Sequence, residues 1–177
     1  SSDLPSAASR LRRTVEPGCH GVRSQLGTWR AMIERDRATL AIYSESRTVA
    51  EITASLLLEP TEAANVGEPA RSARAGRAYK PEYLTYQRTT WLLDVSASPS
   101  DGDDEGVNAL RRLVRIALPS AAALESLRVD CETVIWWSGD STNTQGTFVL
   151  PSNLIRDLAA TGCEVRGTLC LDDHDET

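Results

Sequence analysis

The sequence predicts an α+β domain: a two-layer sandwich in which a mixed, mainly antiparallel sheet carries helices on one face. Three observations support this. The stretch from Arg37 to Pro69 reads as a strand followed at once by a capped helix. A run of strict alternation follows at Arg128–Ser138, and the chain closes on a helix, a glycine and a last strand. The elements then come in the order strand, helix, strand, helix, hairpin, helix, strand, which gives antiparallel neighbours and leaves room for some parallel pairing.

The first strand is expected at Ala38–Tyr43. In the helix after it, Thr48 and Glu51 form a T-x-x-E capping box, in which each side chain bonds the other residue's backbone N–H. Val49, Ile52 and Leu56 recur at helical spacing, and Leu57 and Leu58 widen the apolar face. Pro60 is expected to end the helix by disfavouring helical backbone at Glu59.

The second strand, Thr89–Ser96, alternates Trp91, Leu93 and Val95 with Thr90, Leu92 and Asp94. Leu92 on the second face predicts that both faces are partly covered. The acidic residues Asp101, Asp103, Asp104 and Glu105 favour the start of the next helix through its dipole. That helix is striped by Val107, Leu110, Val114 and Leu118, with Arg111, Arg112 and Arg115 on its wet side. Pro119 interrupts it and Ala121–Leu127 continues it.

In the third strand Val129, Cys131, Thr133, Ile135 and Trp137 point one way, and Asp130, Glu132, Val134 and Trp136 the other. Thr147–Leu150 is expected to return as its hairpin partner across a polar loop. The last helix, Pro151–Ala160, carries Leu154, Ile155 and Leu158, and Gly162 suits its left-handed C-terminal position. The last strand places Cys163, Val165, Leu169 and Leu171 on one face and Cys170 on the other, which argues against a local disulfide.

The expected domain spans residues 37–172. It is preceded by a polar, arginine-rich arm (1–36) with a short helix at Leu26–Glu34, and followed by a solvated acidic tail (173–177). A chain of 177 residues is long enough to bury a core, and 41% hydrophobic with 25% charged residues is a globular balance. The net charge of −6 argues against general nucleic-acid binding, which needs a basic surface. The four cysteines, Cys19, Cys131, Cys163 and Cys170, form no C-x-x-C pair and read as reduced and mostly buried. No apolar run spans a bilayer and no signal peptide is visible, so the cytoplasm is the expected compartment and a membrane role is not.

No metal or cofactor is expected. Cys19-His20 is a poor zinc signal, because His174 is the only other imidazole and a tetrahedral site needs more ligands. No catalytic motif stands out. The long segment Thr61–Arg88 reads as loop, punctuated by Gly67, Pro69, Gly76 and Pro81. It interleaves arginine and tyrosine, which are favoured at protein contacts. The candidate binding residues are therefore Arg71, Arg74, Arg77, Tyr79, Tyr83 and Tyr86, together with Trp136 on the second face of its strand.

The segments Ile52, Leu56, Leu58, Pro60, Thr61 and Gly67-Glu68, then Thr90-Trp91-Leu92-Leu93, then Phe148-Val149-Leu150 with Leu154, Leu158, Ala159 and Gly162, resemble a bacterial family known as domain of unknown function 4279. The resemblance covers roughly Arg37–Asp172. The chain departs from it at Ala63-Ala64-Asn65-Val66, where the family often has a tryptophan, and at Pro151-Ser152, where it often has Ser-Pro. It implies a small cytoplasmic α+β domain, and no functional residues carry over with it.

The favoured function is a non-enzymatic protein-interaction module of the immunity type, with a protein as partner. The alternative is an enzyme or small-molecule-binding domain using the carboxylates Asp94, Asp130 and Glu132 beside Trp136. Acid/base work of that kind needs two groups with separated pKa values. Nucleic-acid binding through Arg71–Arg88 is disfavoured, and oligomeric state is not set by the sequence.

Overall fold

The computed structural model of the chain describes residues 33–71, 80, 83–97, 105–141 and 147–171. Among these residues five strands form one open mixed sheet, so the fold is α+β. In chain order the elements are β1 (Ile33–Ser44), α1 (Val49–Leu56), β2 (Glu62–Ala64), β3 (Thr89–Ala97), α2 (Asn108–Ala117), a 3₁₀ turn (Leu118–Ser120), α3 (Ala121–Leu127), β4 (Cys131–Ser141), α4 (Ser152–Thr161) and β5 (Glu164–Leu171).

The strand order is β2-β3-β1-β4-β5. β1 lies at the centre, antiparallel to both β3 and β4, and β2 pairs antiparallel with β3. β4 and β5 run parallel, joined through α4, as parallel neighbours require a crossover.

The register sorts the side chains into two faces. Ala38, Leu40 and Ile42 of β1 align with Val95, Leu93 and Trp91 of β3, and with Trp137, Ile135 and Thr133 of β4. This face and the apolar sides of all the helices form one buried cluster. Trp91 is fully buried and its indole N–H donates to the Thr53 hydroxyl of α1 at 3.0 Å.

The β1–α1 connection is built locally. The buried Ser44 hydroxyl accepts the backbone N–H groups of Ser46 and Arg47, at 3.2 and 3.0 Å, which turns the chain towards Thr48. The expected capping box forms: Glu51 N–H donates to the Thr48 hydroxyl, and Thr48 N–H donates to the Glu51 carboxylate. α2 has no side-chain cap of its own. Instead Asp36, buried on β1, accepts the Ala109 N–H at 2.8 Å and the Trp137 indole N–H at 3.2 Å on a single carboxylate oxygen. A residue distant in sequence thus supplies an acceptor that the helix end needs.

Several expectations are corrected. Ile33 and Glu34, read as the end of a helix, lie in β1, where pairing with β4 overrides the local helical spacing; the rest of that helix falls outside the described residues. α1 ends at Leu56, ahead of Pro60, because Leu57 turns into the left-handed region with φ 56°; its side chain is exposed instead of widening the apolar face. The segment after Pro60 is not all loop, since Glu62–Ala64 adds an edge strand to β3. β4 begins at Cys131, so Val129 sits in the preceding turn with its side chain 87% exposed.

The hairpin of β4 with Thr147–Leu150 does not form. Both edges of β4 are already taken, by β1 and β5. Thr147–Leu150 forms no strand. Its Phe148 ring packs on Trp137 with centroids 4.8 Å apart, and the Val149 N–H donates to the Glu105 carbonyl. On α4, Leu154 and Leu158 are buried but Ile155 is exposed, and Gly162 terminates the helix at φ 67° as expected.

Candidate functional site

No described helix packs on the second face of the sheet. Its rows, read from the register, run Ala64–Thr90–Tyr43–Glu132, then Glu62–Leu92–Ala41–Val134–Glu164, then Asp94–Thr39–Trp136–Arg166. The small residues Ala41 and Val134 are buried between taller neighbours, while Trp136 is 39% exposed.

A linked array of aromatic rings and guanidinium groups covers the β1–β4–β5 part of this face. Arg88, just before β3, lies over the Tyr43 ring at 4.0 Å from its centroid and donates to the Glu132 carboxylate at 2.6 Å. Glu132 also faces Arg166 at 3.8 Å. Arg166 in turn lies over Trp136 at 5.0 Å and donates to both carboxylate oxygens of Glu164, at 2.8 and 3.2 Å. Each guanidinium sits over a ring while its N–H groups donate to a neighbouring carboxylate, a combination that suits its planar fork better than a lysine ammonium.

The electrostatics of the array are balanced. The Glu164 carboxyl is held below its usual range, first by its hydrogen bonds from Arg166, and the Arg166 guanidinium is raised by the same bonds. At the nearby end of the sheet Asp130 is held down by the two bonds from the Arg47 Nε–H, at 3.0 and 2.8 Å. Burial pushes the Cys131 thiol up, so it stays protonated and unreactive at neutral pH. A shallow recess of ≈ 380 Å³ lies among Tyr43, Ser44, Arg88, Asp130 and Glu132.

The candidate residues named from sequence separate into two groups. Arg71 and Tyr86 converge on Glu62 at the β2 edge, with the Arg71 guanidinium 2.7 Å and the Tyr86 hydroxyl 3.3 Å from its carboxylate. Tyr83 is exposed. Trp136 lies on the same face but three strands away, about 14 Å at normal strand spacing. Arg74, Arg77 and Tyr79 lie outside the described residues. Tyr43 and Arg166 were not among the sequence candidates, and Arg88 entered only as the end of the Arg71–Arg88 segment. Tyr43 and Arg166 sit in strands far apart in the chain, and only the register brings them to one face.

Of the carboxylates considered for catalysis, Asp130 and Glu132 line the same recess, but each of the three has its own partner. Asp94 takes hydrogen bonds from the Thr39 and Thr61 hydroxyls, Glu132 is paired with Arg88, and Asp130 with Arg47. Among the described residues, no group of three or more His, Cys, Asp or Glu could hold a metal ion, and no helix is long and apolar enough to cross a membrane.

The family model of the domain of unknown function DUF4279 matches residues 34–169. The chain belongs to this family. The match runs from the start of β1 into β5 and so takes in both faces of the sheet. No curated protein and no solved structure matches the chain.

Proposed function

We propose that this DUF4279 protein is a non-enzymatic, cytoplasmic protein-interaction module of the immunity type, binding a protein partner through the second face of its sheet. The observation that carries the reading is the Tyr43–Arg88–Glu132–Arg166–Trp136 array. Exposed tryptophan, tyrosine and arginine are the side chains that most often dominate the energy of protein interfaces. Here they are already stacked and paired, so a partner finds them in place and little side-chain freedom is lost on binding. The net charge of −6 favours encounter with a basic partner. The Arg71–Glu62–Tyr86 cluster would form the rim of the same surface.

An enzymatic role draws less support, because Asp130 is held in its charged form and the three carboxylates each have separate partners. The test is affinity co-purification from the source bacterium with the wild type, a Trp136→Ala variant and an Arg88→Glu variant. Recovery of one stoichiometric protein by the wild type, lost in both variants, is the expected result. Recovery of no stoichiometric protein, or equal recovery by all three, overturns the reading.

A further inference from the structure

The two edges of the sheet differ. β2 is three residues long, and its Glu62 is tied to Arg71 and Tyr86. A short, charged edge of this kind resists pairing with another chain. β5 is eight residues long, and its outer edge pairs with nothing among the described residues. It contains no proline and no lysine. Its two charged side chains, Glu164 and Arg166, neutralise each other on the second face. On the helix-bearing side of the same strand Val165 and Leu169 are 41% and 42% exposed, and the exposed Phe148 packs on Trp137, the β4 partner of Gly167. An open, unguarded edge flanked by apolar side chains is costly unless something pairs with it.

The sequence of β5 says what fits. Gly167 lies midway between Val165 and Leu169. We propose that two copies of this chain associate through β5, antiparallel about a two-fold axis at Gly167 and perpendicular to the sheet, to give one continuous ten-stranded sheet. In this register Val165 of each copy lies opposite Leu169 of the other, so two apolar pairs form on the helix-bearing side. Arg166 lies opposite Thr168, and Glu164 opposite Cys170, so no like charges meet. The two glycines meet at the axis. A two-fold axis perpendicular to the sheet keeps both second faces on one side and makes their aromatic and guanidinium arrays continuous. β4 adjoins β5, so Trp136 of one copy would lie three strand spacings from that of the other, about 14 Å laterally.

This inference stands apart from partner capture and is tested without a partner. Sedimentation equilibrium of the wild type should show a concentration-dependent dimer, and Val165→Lys and Leu169→Lys should each shift it to monomer, with circular dichroism confirming that they fold. The register is read by Gly167→Cys in a Cys170→Ser background. A Cβ at Gly167 meets Trp137 at 3.5 Å, an ordinary contact, so the variant should fold. Directly opposed residues are about 4.5–5.5 Å apart at Cα, within disulfide reach. Mild oxidation should therefore give a covalent dimer. The Cys170 thiols of the two copies would lie about 20 Å apart along the strands and should give no such species. A wild type that stays monomeric at every concentration overturns the proposal. So does a Gly167→Cys variant that does not crosslink, or crosslinking that runs through Cys170.

Discussion

The two faces of one sheet use the same strands for opposite ends. On the helix-bearing face Trp91 and Trp137 are buried, and each indole N–H has a protein acceptor, Thr53 or Asp36. On the other face Tyr43 and Trp136 lie under guanidinium groups that are paired with carboxylates and remain partly exposed. Burial makes the first pair part of what holds the fold. Stacking without burial makes the second pair a surface whose groups are positioned but still available. The difference shows that an aromatic residue in a strand has no fixed role; its row in the sheet decides.

Substitutions should separate the faces by size of effect. Leu40→Ala, at the fully buried centre of β1, should cost about 3 kcal/mol by chemical denaturation, from lost burial and the cavity left behind. An effect below about 1 kcal/mol would mean that the core repacks around β1 far more freely than close packing allows.

Asp36→Ala comes next, at about 2 kcal/mol, since it leaves the Ala109 and Trp137 N–H groups without their buried acceptor. Both bonds end on one oxygen, so Asp36→Asn should recover most of the loss in the same denaturation experiment. Equal damage from both variants would shift the explanation from hydrogen bonding to charge.

On the open face, Arg88→Ala removes a stacked ion pair that remains in contact with water, and its cost in thermal stability should stay within about 1 kcal/mol. The variant sharpens the comparison, because a surface built for contact loses binding before it loses stability.

Leu57→Gly should act in the opposite direction. Leu57 adopts φ 56° with its side chain exposed, so glycine removes backbone strain and little packing, and stability should rise by about 1 kcal/mol.

The smallest effect is on pH dependence. The Glu51, Asp130 and Glu164 carboxyls are all held below their usual range, by hydrogen bonds from Thr48, Arg47 and Arg166 respectively. Their folded pKa values lie under the unfolded ones. The stability they contribute is therefore fully present above the unfolded carboxylate range, and is lost as pH falls from about 5 towards 3. Melting curves across that interval should show the loss, and a combined Glu51→Gln, Asp130→Asn, Glu164→Gln variant should show a shallower one.

Sequence alone determined the local elements of this protein. The Thr48–Glu51 capping box, the alternation through Cys131–Trp137 and the Gly162 helix end are each set by a few neighbouring residues, and each appears as read. The sandwich of helices on a mixed, mainly antiparallel sheet was legible too, from the order of those elements. Tertiary structure decided strand neighbours and register. It paired β4 with β1 and β5 where the chain suggested a hairpin with Thr147–Leu150, and it placed Asp36 at the start of α2. It also brought Tyr43, Arg88, Glu132, Trp136 and Arg166 together, of which the sequence named Trp136 as a binding candidate, Glu132 as a candidate carboxylate and Arg88 only as the end of the Arg71–Arg88 segment. The physical reason is range: caps and periodicity act within a turn or two of the backbone, whereas pairing partners are chosen by competition among all strands for the same edges.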